Sequence, residues 1–134
     1  MANIIHDGKV LFTEEELKCK GSGLLILASG FDERLKNLRV NFGKPMIVNS
    51  CCRSKNHNQA VGGNARSLHV CDKPFWPTGG TCAIDISAKD PIYRAELARV
   101  AMNMGWWVGV SDTFLHLDRR IDYGIANDIG LFLY

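Results

Sequence analysis

Three side chains able to hold a metal ion stand in apolar surroundings of this chain. His69 lies in "ARSLHV", Asp85 in "CAIDI" and His116 in "TFLHLDRR". Two imidazoles and one carboxylate suffice for a divalent ion that keeps a fourth position open for water, the ligand set of a hydrolytic zinc centre. Each of the three falls in a stretch that reads as a strand, and a strand is a rigid mount for a ligand. Side chains alternate faces along a strand, so His116 and Asp118 point the same way. His69 and Asp85 converge if their strands are neighbours. The spacing alone does not decide the matter, because a lone His in an apolar strand is also accommodated as a hydrogen-bonded core residue.

The elements that must position these groups follow from the pattern. In "FTEEEL", Thr13 caps a short helix and Glu16 completes a capping box, with Phe12 and Leu17 as a hydrophobic staple. Leu24, Leu27, Ala28, Phe31, Leu35 and Leu38 recur at helical steps, which predicts a second helix from about Leu24 to Val40, ended by Gly43 and Pro45. "PMIVNS" reads as a buried strand. Cys52 to Arg66, rich in Asn, Gly and Ser, reads as an ordered loop. "SLHV" and "CAIDIS" read as strands separated by the loop "CDKPFWPTGG". Asp90-Pro91 opens a third helix carrying Tyr93, Leu97, Val100, Ala101 and Met104, and Gly105 stops it. "WWVGV" and "FLHLD" form a hairpin around Ser111-Asp112-Thr113, and "GLFLY" is a final strand. This order predicts an α+β fold with a small, mainly antiparallel sheet.

Bulk properties exclude several classes. The chain has 134 residues, enough for one domain spanning 1–134, and 46% hydrophobic residues, enough for a core. A net charge of +2 gives no electrostatic support for nucleic-acid binding. No apolar run reaches the roughly 20 residues of a membrane span, and the N-terminus has no secretory pattern, so a cytoplasmic location is expected. The five cysteines include the adjacent pair Cys51-Cys52 and no CxxC, which argues against a disulfide framework and a four-cysteine zinc knot. Buried small hydrophobes are the expectation for them, with Cys71 and Cys82 left as a pair that could meet across a loop.

Taken together, Ser50 to Ser54, Asn58, Val61-Gly62-Gly63, Ser67-Leu68-His69, Ala83 to Ile86 and Leu115 to Asp118 resemble the zinc D-alanyl-D-alanine carboxypeptidase family. The likeness is to its small members among bacteriophage endolysins and phage-encoded peptidases. "LFTEEELKC" and "LKNLRVNFGKPMIVNS" resemble the family's opening, so the match covers roughly residues 11 to 120 in consistent order. The resemblance implies a hedgehog-like or D-Ala-D-Ala-peptidase-like fold, with helices packed on one side and a zinc site at the sheet. It implies His69, Asp85 and His116 as ligands of Zn2+. It implies Arg53 as the guanidinium fork that holds a carboxylate or carbonyl oxygen of the peptide. Gly62 and Gly63 would let backbone pass close to the site. Ser67 and Asn58 would be local hydrogen-bonding groups.

Three departures bear on the chemistry. Fifteen residues separate His69 from Asp85, a longer interval than the family's, so a loop must bulge out; Phe75 and Trp76 on it would either wall the groove or pack on the body. At the position of the family's acidic general base stands Thr113. Asp112 is then the favoured base and Asp118 its rival, unless Asp118 instead orients His116. Cys51-Cys52 replaces the usual glycine and aromatic residue before the arginine.

His57 is expected to be solvated. One of Trp106 and Trp107 should be core while the other lines the groove, and Arg119 and Arg120 should be surface charges. The expected protein is a monomeric zinc peptidase acting on peptidoglycan stem peptides, as carboxypeptidase or endopeptidase, with no nucleic-acid or membrane partner, and released to the cell wall only by host lysis. The alternatives are a cytoplasmic D-Ala-D-Ala dipeptidase and a non-catalytic phage structural or binding module of the same fold.

Overall fold

Alternation of side chains builds the centre of the molecule. The computed structural model describes residues 3–72 and 78–134. Strands β1 (Ile4–His6) and β2 (Lys9–Phe12) precede α1 (Glu14–Leu17) and α2 (Phe31–Phe42). Then come β3 (Val48–Ser50), α3 (Lys55–Ala60), β4 (Ala83–Ser87), α4 (Pro91–Asn103), β5 (Trp107–Val110), β6 (Phe114–Asp118) and β7 (Leu131–Leu133). Five strands form one sheet in the order β3-β4-β6-β5-β7, antiparallel except for the parallel pair β5 and β7.

One face of this sheet is apolar. Ile84, Ile86, Leu115, Leu117 and Val108 are buried there in one cluster with Leu35 and Leu38 of α2 and Leu97 and Ala101 of α4. Trp106 is fully buried and meets Phe31 edge-on, with ring centroids 5.8 Å apart. Burial of such side chains contributes about 1.5–3 kcal/mol each, which fixes the strand register. The opposite face is then free to carry polar groups. The α+β class and the mainly antiparallel sheet are as expected.

Local signals hold in several places. Thr13 accepts from the Glu16 amide at 3.1 Å and Glu16 returns to the Thr13 amide at 2.9 Å, the expected capping box. Asp90 caps α4 at the Ile92 amide, and β5 and β6 form the expected hairpin.

Other expectations give way to tertiary structure. The second helix starts at Phe31, not Leu24, because residues 26–28 are committed elsewhere: Thr81 donates to the Ile26 carbonyl and accepts from the Ala28 amide, both at 2.9 Å. The segment "SLHV" is turn rather than strand, with one isolated β-bridge between Val70 and Arg53. The polar stretch after Cys52 contains α3, capped by Ser54 at the His57 amide. The β1–β2 hairpin turns on Asp7-Gly8, both at positive φ, a pairing legible in the sequence as a hairpin turn. β3 is half-exposed rather than buried. All five cysteines are free and buried. Phe75 and Trp76 lie outside the described residues. Among the described residues, no helix is long and apolar enough to cross a membrane.

Candidate metal centre

Register brings the ligands together on the polar face. Asp85 of β4 stands directly opposite His116 of β6, and Ser50 of β3 stands opposite Asp85. His69 arrives from the turn that precedes Val70. That turn is held at several points: Arg53 donates its amide to the His69 carbonyl and accepts from the Cys71 amide, both at 2.9 Å, and Ser67 Oγ accepts from the His69 amide. Cys82 donates to the Leu68 carbonyl at 3.0 Å, which ties the turn to the start of β4.

His69, Asp85 and His116 are only 2%, 8% and 7% exposed, yet all three line one cavity of about 870 Å³. Their candidate ligand atoms lie within 4.8 Å of one another. His69 Nε2 and His116 Nδ1 each lie 3.1 Å from the same oxygen, Asp85 Oδ1. These separations are close to the ~3.3 Å edge of a tetrahedron with metal–ligand bonds of about 2.0 Å.

The outer nitrogens fix the tautomers. His69 Nδ1 sits 2.7 Å from the Cys51 carbonyl, which can only accept, so Nδ1 carries the hydrogen. His116 Nε2 sits 2.7 Å from Asp118 Oδ2 and donates to that carboxylate. Neutral imidazoles so arranged turn two bare nitrogens toward one carboxylate oxygen. Three lone-pair groups converging in a nearly buried place repel unless a cation or a proton sits among them. The donor set and its orientation therefore fit a divalent metal, with a carbonyl and a carboxylate behind the two histidines as metal sites commonly have.

The electrostatics of Asp85 and His69 are consistent with this, while those of His116 favour a proton when no cation is bound. Burial opposes ionisation of Asp85, but hydrogen bonds with His116 and His69 outweigh it and hold the carboxyl below its usual range. Burial pushes His69 down, toward the neutral form that a metal requires. For His116, burial is overcome by Asp118 and Asp85, which raise it. Burial, then the charge of Asp85, raises the Cys51 thiol, so Cys51 is not offered as a thiolate ligand.

Arg53 lies beside the cluster. Its Nε donates to Ser50 Oγ at 3.0 Å, Nη1 to Asn58 Oδ1 at 3.2 Å and Nη2 to Asp85 Oδ2 at 3.4 Å. Buried Asn58 also donates to the Asn64 carbonyl at 2.9 Å, linking Arg53 to the glycine turn that lines the cavity. A Cβ at Gly63 would overlap Asn58 Oδ1, so a side chain there would displace Asn58.

The two expected bases sit elsewhere. Asp112 is exposed at the β5–β6 turn; its side chain accepts from Ser111 Oγ and its carbonyl accepts from Arg94 of α4 at 2.8 Å. It does not line the cavity. Asp118 is fully buried, and its two oxygens accept from His116 Nε2 and from the amide, Nε and Nη2 of Arg120. That leaves it no free lone pair in the cavity, and its bond to His116 is the orienting contact.

Family comparison agrees with the site. The family model described as Peptidase M15 matches residues 12–118, which include all three candidate ligands. The chain belongs to the peptidase M15 family. Membership implies metallopeptidase activity, and M15 peptidases are zinc-dependent. Among curated proteins, none matches the chain.

Several features of the site carry no signal in the sequence. Arg66, Phe114, Arg120, Ile125, Phe132 and Tyr134 also line the cavity. Arg119 is not a surface charge: it is 3% exposed, forks onto Asp122 at 2.8 and 2.9 Å and covers Trp106. Arg120 is held by Asp118 and lies 4.1 Å over Trp107. Trp106 is core as expected, whereas Trp107 donates to the Asp128 carbonyl and does not line the cavity. His57 packs against Gly21, away from the cavity.

Proposed function

We propose that this M15 protein is a zinc peptidase that hydrolyses an amide bond of peptidoglycan stem peptides. The observation that carries the reading is the convergence of two bare imidazole nitrogens on Asp85 Oδ1 at the floor of a cavity large enough for a short peptide. His69 Nε2, Asp85 and His116 Nδ1 would hold the ion. When bound, zinc supplies a Lewis acid for the scissile carbonyl and makes hydroxide available near pH ~7.

The chain's own residues do the rest. The Cys51 carbonyl keeps the His69 ring in its tautomer, and Asp118 does so for His116. Arg53 presents its guanidinium to a carboxylate or carbonyl oxygen of the peptide, preorganised by Ser50 and Asn58. Arg66 adds a second cation to the same cavity, which suits the carboxylates of stem peptides. Asp112 and Asp118 are given no proton-transfer role.

Either carboxypeptidase or endopeptidase action fits an open cavity of this kind, and an endolysin-like role in cell lysis is the setting favoured by the motifs. A D-Ala-D-Ala dipeptidase uses the same chemistry on a shorter substrate. Digestion of purified peptidoglycan with the zinc-loaded protein, followed by mass spectrometry, names the bond. New stem-peptide fragments that disappear with EDTA support the proposal. Intact sacculi together with release of alanine from D-Ala-D-Ala would support the dipeptidase instead, and no cleavage of either would leave a binding module.

A further inference from the structure

The row of the sheet that holds Asp85 and His116 does not stop there. His116 stands opposite Gly109 of β5, and Gly109 stands opposite Phe132 of β7. Residues opposite one another share a face. Gly109 contributes no side chain to that face: a Cβ would sit 2.5 Å from the Phe132 ring and 3.0 Å from that of Tyr134. The missing side chain lets Phe132 lean across β5 until its ring centroid is 5.5 Å from that of His116. Tyr134 lies 5.5 Å from Phe132 and 5.0 Å from Phe114, so three rings line one side of the cavity.

Three arginines share this cavity with the rings. Arg53 and Arg66 line it, and Arg120, near Phe132, has its guanidinium engaged by Asp118. With Arg120 so engaged, the three rings offer an apolar surface to a ligand, and Tyr134 is exposed. Phe132 and Tyr134 also lie beyond residues 12–118, so two of the three rings are supplied by a segment outside the family match. The segment is anchored by the backbone, through Val108 to the Gly130 carbonyl at 3.1 Å and Tyr134 to the Val110 carbonyl at 3.0 Å.

We propose that Phe114, Phe132 and Tyr134 form a subsite for the alkyl side chain of a residue flanking the attacked amide, and that this subsite sets which peptides are accepted. The inference rests on the peptidase reading and names its specificity. The anionic groups of the peptide go to Arg53 and Arg66, and its apolar side chain goes to the rings beside His116. Gly109 acts as a positioning residue for the wall.

The test uses the zinc-loaded protein and pairs of synthetic peptides that differ only in glycine or leucine on one side of the cleaved bond, each side in turn. The wild type is expected to prefer leucine on one side. That preference in kcat/KM falls about tenfold in Tyr134→Ala and in Gly109→Ala, and persists in Tyr134→Phe, which keeps the ring. Zinc content stays at one ion per chain in all three. An unchanged leucine preference in Tyr134→Ala, or its loss in Tyr134→Phe, overturns the inference while leaving the peptidase standing. If the wild type cleaves neither peptide, the peptidase reading has failed on its own. Calorimetric titration of the same peptides onto the wild type and Tyr134→Ala then decides the subsite, and equal affinities overturn it.

Discussion

Asp85 and His116 face each other across neighbouring antiparallel strands, and one carboxylate oxygen of Asp85 meets His116 Nδ1 at 3.1 Å. This relationship is set by the register of β4 on β6. The same register puts Ile84, Ile86, Leu115 and Leu117 into the core. A slip of one residue would expose the core and bury the ligands together, so the energetics of packing also position the chemistry.

Asp118 is predicted to act through His116. In Asp118→Asn the carboxylate that accepts from His116 Nε2 and from three donors of Arg120 is gone. Zinc affinity should fall by about 10–100-fold, the usual cost of losing such a partner. Competition with a chromogenic chelator measures it, and unchanged affinity would remove Asp118 from the site.

Gly63→Ala tests the scaffold of Arg53. The new Cβ displaces Asn58, which supports Arg53 Nη1 and the turn at Asn64. KM for a cleaved peptide should rise about tenfold, the loss of one hydrogen bond to a charged group, while zinc content is retained. Steady-state kinetics beside metal analysis separate the two effects.

Asp112→Asn is predicted to keep kcat/KM within about twofold, as for a surface substitution of little energetic weight. Asp112 sits at the hairpin tip with its carbonyl turned to Arg94. A loss of a hundredfold or more in the same assay would restore it as the base.

The Arg119–Asp122 pair predicts a pH-dependent term in stability. Hydrogen bonds from Arg119 hold the Asp122 carboxyl below its ordinary 3.8. A carboxyl lowered in the folded state contributes stability that is fully present above its unfolded value and is lost as pH falls through the folded one. Asp122 is exposed to solvent, which screens the pair, so Asp122→Asn should cost about 0.5–1 kcal/mol at pH 7. The gap to the wild type should close as pH drops below 3.8, which thermal melts across that range will show.

Much of this was legible in the sequence, for reasons that particular residues make plain. Thr13, Glu16 and Asp90 act within one helical turn, so their caps were readable. His69, Asp85 and His116 were readable as a set only through motif resemblance, since their convergence depends on pairing between distant strands. The helix expected at Leu24 failed because Thr81, far along the chain, takes the backbone groups of residues 26–28. Asp112 was placed by counting positions, and the turn at Ser111, closed to the Phe114 carbonyl at 3.1 Å, takes it out of the cavity. Tyr134 and Phe132 gave no signal, because only the parallel pairing of β7 with β5 brings them beside His116.

Calorimetric titration of the metal-free protein with zinc tests the centre most directly. The wild type should bind one ion per chain with release of protons, and Asp85→Asn and His116→Ala should each lose at least about a hundredfold in affinity. A wild type that takes up no zinc, or variants that bind it as tightly as the wild type, would contradict the assignment of His69, Asp85 and His116.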